Sequence, residues 1–272
     1  IYYIMKKAIL LSGYMKCFYN MIDNFYDNVF DKDTDLFIYY VENTIFNCSH
    51  NGKNINDDDM KKILYNKFGN NIKIFKKRND DELKERNLIY NKKKELFKNF
   101  EYSSCFYNIK TKTLSPKGLD QFYNLYKITD LFKEYVENNN IKYDIVIKGR
   151  FDRLLYMNKI NFDKYNYPNK EFICIGGYLK EWVSDSFFFG SYKSMLYVCS
   201  NFINELYNYN EKKYYPIKKY EHTTILAPER QLYLYLKDKK ENNFEIIDLK
   251  VLFKFINNNK CKFCSYYTTN FT

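Results

Sequence analysis

The stretch Tyr143-Asp144-Ile145-Val146-Ile147-Lys148-Gly149-Arg150-Phe151-Asp152 decides the fold. Ile145, Val146 and Ile147 form a short apolar run with no room for a turn inside it. Such a run suits a strand covered on both faces, as in the parallel sheets of α/β proteins. Lys148, Arg150 and Asp152 follow at once. The C-terminal end of a buried strand is where open α/β sheets hold ligands. Cations there can pair with phosphate oxygens, and a carboxylate can hold a divalent metal that bridges a diphosphate. A surface Arg–Asp pair at a strand end accounts for the same residues equally well.

Upstream, Phe122, Leu125, Tyr126, Thr129, Phe132, Tyr135 and Val136 recur at spacings of three and four. That period predicts a helix leading through Asn138-Asn139-Asn140 into the strand. At the start of the chain, residues 7–11 read as a first strand that ends at Ser12-Gly13. A helical pattern follows over residues 15–30, with Phe18, Ile22, Phe25 and Val29 on one face. A strand, a small-residue turn and a helix present backbone N–H groups where a phosphate can approach. An ordinary βα turn has the same sequence. Residues 36–41 read as a second strand, and the alternation around Ile72 and Ile74 as a third. Between them, Asn56-Asp57-Asp58-Asp59 reads as a helix start rather than a metal site, since a cap and early acids complement the exposed N–H groups. Residues 80–100 are highly charged and read as a solvent-exposed helix or a partly mobile insertion, and residues 102–117 as loop.

Downstream, Leu154-Leu155 continues extended and Pro168 marks a loop. Phe172–Ile175 is a further short strand closed by Gly176-Gly177. Asp185 then precedes Phe187-Phe188-Phe189-Gly190, a single charge at the edge of a buried aromatic strand. A helix follows over residues 192–206. Pro228 and Glu229 open another, with Pro in the first turn and the acid near the positive end of the dipole. Residues 244–249 are a last strand. Strands alternate with helices throughout, so the economical reading is one α/β domain over residues 5–256 with a mostly parallel central sheet flanked by helices, and a polar tail over residues 257–272.

The chain has 272 residues, enough to bury a core without disulfides or a structural metal. At 46% hydrophobic and 28% charged it is globular rather than disordered. The net charge of +11 attracts phosphates of any kind, but the lysines are spread in short runs that read as solvated faces. Seven cysteines at scattered positions are no disulfide framework. Cys174 and Cys199 read as small core hydrophobes, and Cys261-Lys262-Phe263-Cys264 is half a zinc site without its partner pair. These thiols point to a reducing, cytoplasmic setting. No transmembrane segment is legible.

The order of motifs matters more than any one of them. Lys7-Ala8-Ile9-Leu10-Leu11-Ser12-Gly13 opens the series, Gln121-Phe122-Tyr123-Asn124-Leu125 stands on the helix before the central strand, and the central strand ends in Arg150-Phe151-Asp152. Asp185-Ser186-Phe187-Phe188-Phe189-Gly190-Ser191, Met195, and Pro228-Glu229 with Leu232 and Leu236 complete it. Over residues 7–236 this resembles a family of glycosyltransferases with a GT-A-type, Rossmann-like fold, found in bacterial polysaccharide clusters and giant viruses. The resemblance implies transfer of a sugar from a nucleotide-sugar donor to a glycan, protein-linked or other hydroxyl acceptor. If the chain is viral, its setting would be the host cytoplasm or viral factory.

The resemblance also implies site roles. Ser12, Gly13, Lys148, Arg150 and Asp152 would face the donor diphosphate. A divalent ion, Mn²⁺ or Mg²⁺, would sit on Asp152, with His222 as a further ligand. Arg150 stands where the family's acidic DxD-like motif has its first acid, so the chain departs from that motif, and Arg150 or Lys148 can neutralise the diphosphate directly. Asp185 is the candidate base for the acceptor hydroxyl, with Glu229 in reserve. The contrasting reading is a non-catalytic protein on the same fold that binds nucleic acid, phosphate or glycan, for which the net charge and many aromatics speak. Of these partners nucleic acid is the least expected. A nucleotidyltransferase would carry a Gly-rich phosphate loop near the first strand, and only Ser12-Gly13 is present.

Overall fold

The structure, a computed structural model, describes residues 5–15, 18–19, 22–42, 47–48, 54–95, 107–108, 113–114, 116–151, 159–165, 170–178, 183–206, 208 and 228–249. Seven strands form one sheet: β1 (Lys7–Tyr14), β2 (Thr34–Val41), β3 (Ile72–Lys77), β4 (Ile145–Arg150), β5 (Phe172–Ile175), β6 (Phe187–Ser191) and β7 (Glu245–Asp248). Their order across the sheet is β3-β2-β1-β4-β6-β5-β7. β1 pairs in parallel with β2 and β4, β2 with β3, and β5 with β7. Only β6 runs against its neighbours, β4 and β5. The expected α/β fold with a mostly parallel sheet and flanking helices is therefore what the chain adopts.

Helices α1 (Ile22–Val29), α2 (Asp57–Phe68), α3 (Asp80–Glu95), α4 (Pro116–Asn139), α5 (Tyr192–Glu205) and α6 (Pro228–Asn243) fill the connections. The inner strands are largely apolar on both sides because both sides are covered. One face, with Ala8, Leu10, Phe37, Tyr39, Val146 and Phe188, packs on residues of α4, α5 and α6. The other, with Ile9, Leu11, Ile38, Ile147, Phe187 and Phe189, packs on residues of α1 and α2. Alternate residues of one strand thus enter two separate cores.

Local signals set the helix starts. The Asn56 side chain accepts from the Asp59 amide at 2.8 Å, and Asp57, Asp58 and Asp59 occupy the first turn of α2, as the sequence predicts. At α3, the Asn79 side chain accepts from the Glu82 amide at 2.9 Å while Glu82 accepts from the Asn79 amide at 2.9 Å, a reciprocal cap. Glu82 also accepts from the Tyr39 hydroxyl at 3.0 Å and pairs with Lys76 at 2.9 Å. Lys93 donates to the Asn204 carbonyl and to Asn208 at 3.0 Å, at the end of α5. The charged stretch is thus an anchored helix over Asp80–Glu95, docked largely by polar contacts, with Ile89 and Tyr90 packed against the core. Within the expected 15–30 pattern, the described helix is Ile22–Val29. The 102–117 stretch, expected as loop, includes a short antiparallel pair, Tyr107–Asn108 with Thr113–Leu114, and α4 begins at Pro116. Leu154-Leu155 and the 257–272 tail lie outside the described residues.

A Cβ on Gly190 in β6 would sit 2.2 Å from the Phe172 carbonyl oxygen of β5. Gly190→Ala therefore forces two paired strands apart, and its urea midpoint is expected to fall by an amount worth at least about 1–3 kcal/mol. An unchanged midpoint would contradict that packing.

Tyr143 is buried and donates to Asp35 at 2.6 Å. Burial above all, then the Asp35 carboxylate, pushes its phenol well above the ordinary 10. In the unfolded chain the phenol ionises near pH 10, whereas in the fold it stays protonated beyond that. Its stabilisation is fully present below about pH 10 and is lost as pH rises through the folded value. Stability measured at pH 8, 9.5 and 10.5 should fall at the alkaline end, and less steeply in Tyr143→Phe.

Candidate functional site

The strand order contains a switch point. After β1 the chain builds outward through β2 and β3, then returns through the long helix α4 to place β4 on the other side of β1. In open α/β sheets the crevice beyond the carboxyl ends of two such strands is the ligand site. Here those ends are Ser12-Gly13 of β1 and Lys148-Gly149-Arg150 of β4, with Ser12 and Arg150 directly paired in register.

Gly13 has φ +114°, a conformation that side chains resist, and among the described residues a Cβ there would meet nothing within 4 Å. Its backbone conformation favours glycine. Ser12 is buried beside it.

The antiparallel strand β6 brings the remaining groups. Because β6 runs opposite to β4, with Phe187 across from Gly149, the residues preceding β6 reach the same end of the sheet as Arg150. Asp185 therefore meets Arg150: its Oδ2 accepts from the Arg150 Nη1 at 3.2 Å. The Asp185 side chain is 4% exposed and that of Arg150 is 16% exposed, so the guanidinium is the more open of the pair. The Ser186 hydroxyl donates to the other Asp185 oxygen at 3.1 Å.

Gln121, in the first two turns of α4, ties this pair together. Its Oε1 accepts from Arg150 Nη1, and its Nε2 donates to the Asp185 carbonyl oxygen at 3.1 Å. Lys148 also donates to the Asp185 carbonyl, and its ammonium lies 5.5 Å from the centre of the Phe188 ring. Lys148 is fully buried. It shares the face of Val146, packs beneath α4 and α5, and acts on the site through the Asp185 backbone. On α5, Cys199 is buried, and burial pushes its thiol up to about 12, in keeping with the expected core role.

Beside Gln121, Asp120 takes Arg78 at 3.1 Å and Arg86 at 2.8 Å on the same oxygen. Arg78 follows β3 directly, and its amide donates to the Tyr40 carbonyl at 2.9 Å. Adjacent residues of α4 thus anchor arginines from both sides of the sheet's switch point.

Of the residues singled out from sequence, Ser12, Gly13, Lys148, Arg150 and Asp185 come together at one end of the sheet. Glu229 stands in the first turn of α6. Asp152 and His222 lie outside the described residues. Gln121, Asp120, Arg78 and Arg86 carried no site role in the sequence reading. The signal for Gln121 was its place in the motif series; the two arginines offered none, because their meeting depends on how α3 docks.

Among the described residues no group of three or more His, Cys, Asp or Glu side chains is placed to hold a metal ion, and Asp185 is tied to the Arg150 guanidinium; the expected ligands Asp152 and His222 lie outside those residues. Among the described residues no helix is long and apolar enough to cross a membrane.

No protein-family model matches the chain, and no curated protein matches it in sequence. A solved structure of an active-site mutant of LgtC, a GT-A glycosyltransferase, is similar over 76% of this chain, at 10% identity and a TM-score of 0.33. The chain spans 61% of the length of that structure. A likeness of that size does not define the site, whose chemistry rests on the residues above.

Gln121→Ala removes an acceptor from Arg150 and a donor from the Asp185 carbonyl. It is expected to lower unfolding stability by about 1–3 kcal/mol in a urea titration. A change below a few tenths of a kcal/mol would mean that these bonds do not hold the site.

Proposed function

We propose that this protein is a glycosyltransferase that moves a sugar from a nucleotide-sugar donor to a hydroxyl acceptor. The observation that carries this reading is the meeting of Gly13, Arg150 and Asp185 at the switch point between β1 and β4. The resemblance in motif order points the same way.

Each group has a task in such a reaction. The nucleoside diphosphate leaves as an anion, and the Arg150 guanidinium offers the planar fork that fits phosphate oxygens and stabilises that developing charge. The missing side chain at Gly13 lets a donor approach β1 closely. Asp185 supplies the carboxylate that can take the acceptor's proton or orient its hydroxyl. Lys148 and Gln121 hold the Asp185 backbone in place, so that the carboxylate moves about a fixed point. Metal participation through Asp152 and His222 is a separate proposal that the same experiment addresses.

The test is thermal stability against UDP, GDP, CDP, ADP and dTDP, each with and without Mn²⁺. A ligand at 100 times its dissociation constant stabilises by about 2.7 kcal/mol, a visible rise in melting temperature. One diphosphate is expected to stand out, and Arg150→Ala to abolish its shift. A shift that requires Mn²⁺ and vanishes in Asp152→Ala would assign the diphosphate to a metal. No shift with any nucleotide, together with salt-sensitive binding to oligonucleotides, would replace the enzyme by a nucleic-acid-binding protein.

A further inference from the structure

Arg150 Nη1 carries two N–H groups, and two acceptors lie on that nitrogen: the Gln121 amide oxygen and the Asp185 carboxylate at 3.2 Å. A phosphate gripped by this side of the guanidinium needs one of them to let go. Gln121 is neutral and its other end is fixed to the Asp185 carbonyl. Asp185 is an anion, and an incoming phosphate repels it directly at contact distance in a nearly dry site. Its main chain is held by Gln121 and Lys148, so the residue stays in place while the carboxylate turns away, pivoting on or releasing the Ser186 hydroxyl at its Oδ1.

We infer that Asp185 is an internal occupant of the anion site at Arg150, displaced by the pyrophosphate moiety of the ligand. The inference rests on the nucleotide-sugar reading and deepens it. In the resting protein the pair keeps Arg150 neutralised and the carboxylate sequestered. Binding of the donor takes Arg150 and releases Asp185 toward the acceptor side. Asp185 thus opposes donor binding while serving the acceptor step.

The usual alternative makes the opposite prediction. If Asp185 only orients Arg150 for the ligand, removing its charge weakens anion binding. If Asp185 competes, removing its charge strengthens it. Inorganic pyrophosphate titrated calorimetrically into the full chain, at fixed ionic strength, reads the difference. Asp185→Asn keeps the shape, and Asp185→Ser is a second charge-free variant should the first fold poorly; urea midpoints establish which is folded.

The folded variant is expected to bind pyrophosphate about tenfold more tightly than wild type, while losing transfer activity. The gain should vanish when Arg150→Gln is added. Equal or weaker binding in the charge-free variant overturns the inference, as does a gain that survives loss of Arg150. The two claims separate cleanly. Tighter pyrophosphate binding with no preference for any nucleoside diphosphate would retain the competition at Arg150 and remove the nucleotide-sugar reading. Selective nucleotide binding that Asp185→Asn does not tighten would do the reverse.

Discussion

The antiparallel pairing of β6 with β4 is the constraint on which the site depends. Every other strand runs one way, so their carboxyl ends open on one edge of the sheet. A strand in the opposite sense contributes its amino end to that edge, and Asp185 stands two residues before β6. The pairing therefore places a carboxylate where a parallel strand would have ended. Gly190 helps to make the pairing possible, since its missing side chain lets the β5 backbone approach β6. A packing requirement in the middle of the strand and a charge at its beginning are thus parts of one arrangement.

Burial then gives that charge its meaning. Asp185 and Lys148 are both almost wholly out of water, and a buried charge must be paired or bonded to be tolerated. Lys148 meets a carbonyl and the face of an aromatic ring, Asp185 meets a guanidinium, and Gln121 links the set. Because these groups satisfy one another, the site is pre-organised without ligand. The same satisfaction sets its cost: an anion arriving at Arg150 must be more attractive than the carboxylate already there. A second set of charges, Arg78 and Arg86 on Asp120, is fixed one residue away on α4. The long helix that returns the chain across the sheet thus also carries the two residues that organise its cations.

The outer edge is stabilised differently. Helix α3 has few apolar residues, yet it is held by the cap at Asn79, by Glu82 on Tyr39 and Lys76, and by Lys93 at the end of α5. Its attachment is largely polar, with only Ile89 and Tyr90 against the core, where that of α4 and α5 is largely apolar. Amphipathic period alone therefore misses it, while the capping residues mark where it starts.

The sequence by itself determined the class of fold. Apolar runs such as Ala8–Leu11 and Ile145–Ile147 are readable as doubly covered strands, and helical spacing on α4 and α5 is readable because burial selects one face. It also picked out Gly13, Arg150 and Asp185 as residues of interest, since charge or glycine at the end of an apolar run is locally conspicuous. Tertiary structure alone decided that β6 turns back, that Arg150 and Asp185 form an ion pair across 35 positions of sequence, and that Gln121 bridges them. It likewise decided that Lys148 faces the core rather than the ligand edge. The physical reason is that strand patterns encode burial with a period of two but neither direction nor neighbour. Those are settled only when all seven strands compete for places in one sheet, and long-range pairing then assembles the site.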